Sequence, residues 1–285
     1  MNSESDFMQS AAGEPAPFAA QRQPQPPAWD VPSFEVTEFK PRRTRFCIGI
    51  PVINEGDRIR TQLQTMHQLG LYGRADIIMA DGGSTDGSMT EARLRPMAVR
   101  TLLTKTGSGK LSAQLRMFFA YALCEGYDGV VIIDGNNKDG VEAIPAFLDA
   151  LEQGWDYVQG SRYIPGGIAE NTPWIRKWAV LLIHAPVISV GAWHRYTDTT
   201  NGFRALSRRL LWDDRLNPFR NIFDTYNLHY YISVRAARLG YRIKELPVRR
   251  VYPDAGPTPS KIKGLTTHIR MLGQLFKASL GLYNP

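Results

Sequence analysis

Apolar positions along this chain follow two rhythms. Short β-prone runs, "RFCIGIPV", "ADIIMA", "VRTLLT", "GVVIID" and "WDYVQGS", alternate with longer stretches in which apolar residues return every three or four positions. In "EGDRIRTQLQTMHQLG" this spacing puts Ile59, Leu63, Met66 and Leu69 on one helical face. "SGKLSAQLRMFFAYALCEG" reads as a helix that starts near Ser108 and stops at Gly126, and "GVEAIPAFLDALEQG" repeats the pattern. Strand and helix in alternation predict an α/β fold, a mostly parallel sheet with helices on both faces. Beyond the fifth strand the order loosens. Pro165, Gly166 and Gly167 mark a turn, "FDTYNLHYYISVRAARLG" reads as a helix and "YRIKELPVRRVY" as a strand, and no internal repeat is visible.

The two ends have a different texture. Residues 1–42 are rich in Pro, Gln, Ser and Ala without a sustained apolar period, which predicts a disordered tail ahead of a domain spanning residues 43–253. In residues 254–285, Leu265, Ile269, Leu272 and Phe276 share a helical face ringed by Lys261, Lys263, Arg270 and Lys277. A basic amphipathic helix of this kind rests either on a membrane surface or on the protein's own core. "WAVLLIHAPVISVGAW", Trp178 to Trp193, is short for a membrane span and is interrupted by His184 and Pro186, so it is expected not to cross. Its tryptophans suit the headgroup level. The first residues lack the basic-then-apolar order of a secretory signal, so the expected location is the cytosol, with peripheral attachment to a membrane.

Composition narrows the partners. A chain of 285 residues, 43% of them hydrophobic, can bury one large core. The excess of 34 Lys and Arg over 27 Asp and Glu, a net charge of +7, suits acidic ligands. The basic residues are dispersed and no aromatic-basic stacking motif occurs, which argues against nucleic acid. Cys47 and Cys124 sit in apolar runs without the spacing of a zinc site or a disulfide framework, and read as buried thiols.

Candidate chemistry gathers at strand ends, where open parallel sheets bind ligands. The first strand ends in "PVINEGD", the second in "DGGSTDGS" and the fourth in "DGNNKD". Asp134 follows four buried apolar residues and needs partners to offset its desolvation. Asp86 and Glu55 have blander readings, as a cap for the next helix and as a first-turn acid. "TKTGSGKLSA" is not a phosphate loop, because Thr104 and Leu111 stand where that motif needs Gly and a hydroxyl, yet Lys105 or Lys110 can still approach a diphosphate. No Gly-x-Gly-x-x-Gly follows the first strand, which disfavours a dinucleotide-binding dehydrogenase.

"PVINEGDRI", "ADGGSTDGS", "VVIIDGNNKDG", "GWDYVQGSRYIPGG" and "TDTTNGFRALSRRLL" occur in the order seen in family-2 glycosyltransferases, and most closely resemble the dolichyl-phosphate mannose synthase-like branch, over about residues 45 to 253. The resemblance implies a type-A glycosyltransferase fold, a nucleotide-sugar donor, a Mg2+ or Mn2+ ion and an inverting transfer to a polyprenyl phosphate. By that likeness Pro51, Asn54, Glu55 and Asp81 hold the nucleotide, Asp134 lies near the diphosphate and the metal, and Arg162 and Arg176 hold the acceptor phosphate, with Arg204 a further phosphate ligand. The family usually ends this strand in Asp-x-Asp with Gln two residues on. Here Asn136 and Lys138 stand at those places. An Asn carbonyl ligates a hard cation without adding charge, so metal binding should be weaker, with Lys138 meeting the diphosphate and Asp139 as a compensating ligand. Gly82 replaces an Asp that often follows Asp81 in the family.

Acceptor type decides the need for a base. A phosphate monoester is already anionic near pH 7, whereas a glycan or lipid hydroxyl needs a carboxylate to take its proton, for which Asp198 and Asp224 are available. Transfer to such a hydroxyl is the alternative reading, and a binding protein without turnover is a third.

Overall fold

The computed structural model describes residues 23–26, 28–253 and 265–285; most of the expected tail, and Lys261 and Lys263, lie outside them. The main elements are β1 (Phe34–Glu38), β2 (Phe46–Val52), α1 (Asp57–Gln68), β3 (Asp76–Asp81), β4 (Val99–Lys105), α2 (Leu111–Cys124), β5 (Gly129–Ile132), α3 (Ile144–Glu152), β6 (Tyr157–Ser161) and β7 (Ile168–Glu170). They continue with α4 (Trp174–Ala192), β8 (Arg204–Ser207), α5 (Asn227–Arg238), β9 (Ile243–Pro247), β10 (Arg249–Val251) and α6 (Leu265–Ser279).

Strands β2 and β3 are buried at every position, as continuous apolar runs covered on both faces must be. The eight-stranded sheet has the order β1-β4-β3-β2-β5-β8-β6-β9. Pairing is parallel from β4 through β5 and again between β6 and β9, while β1 and β8 run antiparallel to their neighbours. The strand order reverses between β2 and β5, so the loops leaving their carboxyl ends border one crevice. On one face Phe118 and Phe119 of α2 pack with Tyr231 of α5. On the other, Ile59, Leu63 and Met66 of α1 pack with Phe147 and Phe203, whose rings stack 4.2 Å apart.

Three expectations need correction. The tail does not extend to residue 42: β1 pairs antiparallel with β4, from Phe34 opposite Lys105 to Glu38 opposite Thr101. The Pro-rich composition around it obscured a five-residue strand, which a buried polar network anchors. Arg100 donates to Glu125 at 2.6 Å, and Tyr121 donates to Glu38 at 2.8 Å. The apolar run near Trp178 belongs to a longer helix, because "WIRK" joins its start. At 19 residues α4 is the one helix among the described residues long and apolar enough to cross a membrane by length and composition. One side of it is nevertheless part of the fold. Val180, Ala185, Ile188 and Ala192 are buried, and a Cβ at Gly191 would lie 2.6 Å from Ser279 Cα, so α4 and α6 cross in close contact. Last, "YRIKELPVRRVY" forms two strands: Pro247 has no N–H to continue the ladder, and β10 leaves the main sheet to pair with β7.

A Cβ at Gly49 would fall 2.2 Å from the Phe118 ring. Gly49→Ala is therefore expected to destabilise the fold by about 1–3 kcal/mol through overpacking, measured as a lower urea midpoint at unchanged slope.

Candidate active site

The loops after β2 and β3 brace each other. Asn54 adopts a left-handed conformation, φ 50°, and its Oδ1 accepts from Thr85 N at 2.8 Å while its own N–H reaches Ser84 Oγ at 2.9 Å. Ser84 in turn donates to Asp81 at 2.6 Å, and Asp86 accepts from Gly56 N at 2.9 Å. Burial pushes the Asp86 carboxyl up, but hydrogen bonds from Ser88 and Gly56 outweigh it and hold the group below the usual carboxylate range. Glu55 pairs with Arg58 at 2.8 Å. These acids shape the crevice through the loops they join. Lys105 turns its ammonium onto Gly107 O at 2.5 Å, beside the same loops.

Gly82 has a steric reason that its sequence context concealed. Gln114 of α2 donates to Val52 O at 2.8 Å and to Ala80 O at 3.0 Å, and a Cβ at residue 82 would lie 2.9 Å from that amide nitrogen. Gly135 is likewise confined by Val52, and its N–H donates to Pro51 O at 3.2 Å. The loop after β5 is thereby fastened to the end of β2. Gln62 of α1 adds an acceptor to Asn137 N at 2.9 Å.

Asp134 presents a carboxylate that is 25% exposed. Its Oδ2 accepts from Arg250 at 3.3 Å and from Asn136 Nδ2 at 3.4 Å, while its Oδ1 points at Gly202, where a Cβ would come within 2.7 Å. Asp139 does not serve as the compensating metal ligand. It is buried and bonded to Arg250, and burial pushes its carboxyl up. Among the described residues no three-acid or His/Cys cluster surrounds a metal position. The donor set still fits a small hard cation of the kind held by one carboxylate and by substrate phosphates: Asp134 supplies charge and Gly202 the room, and Asn136, whose Oδ1 here accepts from Lys138 N at 3.2 Å, adds a neutral oxygen once its amide turns over.

Residue type alone did not separate the roles of the three arginines. Arg204 is 1% exposed and donates to Asn201 O, His229 O, Thr199 O and Ser233 Oγ, so it is a strut of the fold and no phosphate ligand. Arg162 forms a two-pronged pair with Asp198 at 2.6 and 2.9 Å and also holds Thr200. Both partners are buried, so Asp198 is not placed to act as a base and Arg162 is not open to a ligand. Asp224 stays exposed, and its carbonyl accepts from Lys110 N. Arg176, in the first turn of α4, is half-buried and donates to the Tyr252 hydroxyl at 3.0 Å. Lys138 is buried with its ammonium 5.1 Å from the Tyr252 ring centroid. Arg250 and Tyr252 were missed in the sequence. Their partners lie more than a hundred residues away or on another element, and no local spacing marks them.

From Arg176 an apolar strip runs along α4. Trp174, Ile175, Trp178 and Leu182 are 71%, 65%, 51% and 67% exposed. Ile269 and Phe276 of α6 are exposed as well, whereas Leu272 of the same expected face packs on the core.

No family model matches the chain. It is 31% identical to an undecaprenyl-phosphate mannosyltransferase of Micrococcus luteus, over 75% of this chain and 86% of that protein. It is 28% identical to a polyprenol monophosphomannose synthase of Mycolicibacterium smegmatis, over 77% and 82% respectively. Among solved structures it resembles glucosyl-3-phosphoglycerate synthase of Mycobacterium tuberculosis in complex with Mn2+, uridine diphosphate and glucosyl-3-phosphoglycerate, with a TM-score of 0.57 and 19% identity over 83% of this chain and 78% of that one. The likeness establishes the type-A glycosyltransferase fold expected from the sequence.

Arg204→Met, which leaves several buried carbonyls unpaired, is expected to lower stability by about 2–4 kcal/mol. Arg176→Gln at the half-exposed helix start, which loses one hydrogen bond to Tyr252, should change it by about 1 kcal/mol or less. Urea denaturation of the two variants checks the contrast.

Proposed function

We propose, given that the chain belongs to the dolichyl-phosphate mannose synthase-like branch of the family-2 glycosyltransferases, that it transfers a sugar from a nucleoside-diphosphate donor to a polyprenyl phosphate at a membrane surface. The observation that carries this reading is the juxtaposition of Arg176 with the exposed Trp174, Ile175 and Trp178. A half-exposed guanidinium suits a phosphate, and an apolar strip starting beside it suits the prenyl chain attached to that phosphate.

The chemistry then needs few groups. The loops after β2 and β3 hold the nucleotide, with Asn54 and Asp81 fixing their shape. The acceptor phosphate oxygen attacks the anomeric carbon from the side opposite the nucleoside diphosphate. A new carbon–oxygen bond forms as the bond to the departing diphosphate breaks with its electron pair, and the configuration inverts. The attacking oxygen carries no proton near pH 7, so no base is required. That agrees with Asp198 being committed to Arg162. Asp134 and Asn136 would hold a Mg2+ or Mn2+ ion, which supplies positive charge for the departing diphosphate. The protein's own part is alignment of the two substrates.

Attachment to the membrane would use α4 and α6. Their exposed apolar side chains lie among Arg176, Lys177, Arg270 and Lys277, a pairing suited to lying in an anionic headgroup layer. Because the inner side of α4 is packed into the fold, we read it as resting at the interface of the cytoplasmic face and not as a span.

Nucleoside diphosphate release from a panel of uridine and guanosine diphosphate sugars is expected only when a short polyprenyl phosphate is present. A chelator should slow it by about tenfold or more, and release that is independent of the lipid phosphate would defeat the reading. Asn136→Asp should lower the Mg2+ concentration giving half the maximal rate by about tenfold, since it adds a charged ligand. Flotation with anionic vesicles checks the surface: the pair Trp178→Asp and Leu182→Asp is expected to leave the protein in the soluble fraction.

A further inference from the structure

Three cations converge on one buried tyrosine. Tyr252, 3% exposed, has the Lys138 ammonium 5.1 Å, the Arg176 guanidinium 5.5 Å and the Arg250 guanidinium 5.8 Å from its ring centroid. Its hydroxyl oxygen accepts an N–H of Arg176 at 3.0 Å. Its backbone N–H donates to Glu170 O at 3.1 Å, and its carbonyl accepts from Asn171 Nδ2 at 3.3 Å, which fixes it to the segment leading into α4. Just before it, β10 is bonded to the loop after β5 through Val251 N to Lys138 O at 2.8 Å and Gly140 N to Arg249 O at 2.9 Å. Tyr252 therefore stands at the junction of the diphosphate side and the acceptor side.

We propose that Tyr252 is a positioning residue that ties the two phosphate sites together, its hydroxyl aiming Arg176 at the acceptor phosphate and its ring seating Lys138 and the loop that faces the donor diphosphate. This assignment rests on a polyprenyl phosphate being the acceptor. The argument comes from what holds each arginine. Arg162 is paired with Asp198, and Arg250 with Asp139 and Asp134, so carboxylates neutralise both. Arg176 is held by a phenol, and among the described residues no carboxylate lies within ion-pair distance of it. A neutral acceptor fixes the direction of the guanidinium and spends one of its five N–H groups, leaving its charge and the remaining donors for a ligand. A carboxylate in the same place would compete with the phosphate. The electrostatics agree with this placement: burial by itself pushes the Tyr252 phenol up, but Arg250 and Arg176, with Arg162 farther off, outweigh it and hold the group below its ordinary value. The surroundings of the ring are thus strongly positive, as an anion site requires.

The test compares Tyr252→Phe, which keeps the ring and loses the hydroxyl, with Tyr252→Leu, which loses both. Steady-state kinetics use a short polyprenyl phosphate and the donor that the wild type turns over; calorimetry measures nucleoside diphosphate binding with Mg2+. Tyr252→Phe is expected to raise KM for the lipid phosphate about tenfold, the worth of one hydrogen bond to a charged group. Its kcat and its nucleoside diphosphate affinity should stay within about twofold of wild type. Tyr252→Leu should weaken nucleoside diphosphate binding as well. In an Arg176→Gln background, Tyr252→Phe should have no further effect on the lipid phosphate KM. An unchanged lipid phosphate KM in Tyr252→Phe, or equal loss of donor and acceptor binding in that variant, would overturn the assignment while leaving the proposed reaction intact. Wild-type turnover that ignores the lipid phosphate would instead remove the reaction, and the assignment with it.

Discussion

Arg250 reaches back across more than a hundred residues to hold Asp134 and Asp139, and the site is assembled around that contact. Asp139, buried in the loop after β5, and Asp134, a quarter exposed at its start, both need a cationic partner, because removing a carboxylate from water costs several kcal/mol. The guanidinium that answers them is carried on β10, which must therefore leave the main sheet and cross to the loop after β5. Once there, β10 bonds to that loop on one side and to β7 on the other, and β7 leads directly into α4. One electrostatic requirement thus draws the loop after β5 and the start of the apolar helix into the same place.

The arginines illustrate how partner chemistry assigns roles to identical side chains. Arg204 saturates backbone carbonyls and acts as a strut, and Arg162 is neutralised by Asp198. Arg176 rests against a phenol, with no carboxylate paired to it among the described residues. Small residues complete the arrangement by absence: Gly202 leaves room beside Asp134, and Gly82 leaves room for the Gln114 amide that bridges β2 and β3. The departure from the family pattern at residue 82 is therefore compensated by packing, whereas that at Asn136 leaves Asp134 beside a neutral amide.

Legibility in the sequence followed the range of the interaction. Strands β2 to β6 and helices α1 to α3 were readable because each is specified by its own apolar period, and the order of strand ends placed Asn54, Asp81 and Asp134 on one rim. β1 was not readable, since five residues in a Pro-rich setting carry too weak a period, and the polar network of Arg100, Glu125 and Glu38 that anchors it spans three distant segments. Asp139 was a candidate metal ligand to compensate for Asn136, Arg204 a phosphate ligand by family likeness, and Asp198 an acid available to a hydroxyl acceptor. In the fold each is answered by a buried partner.

What the chain determined by itself was the α/β class, the switch-point location of the crevice and the ordered motifs of a sugar-nucleotide enzyme. These follow from local periodicity and from acids that immediately succeed buried strands. Only the tertiary structure decided which cations are spent and which remain: that Arg250 neutralises Asp134 and Asp139, that Tyr252 holds Arg176, and that the apolar face of α4 begins beside it. The reason is physical. The availability of a charge depends on the group a few ångströms away, and in this chain that group is seldom a sequence neighbour.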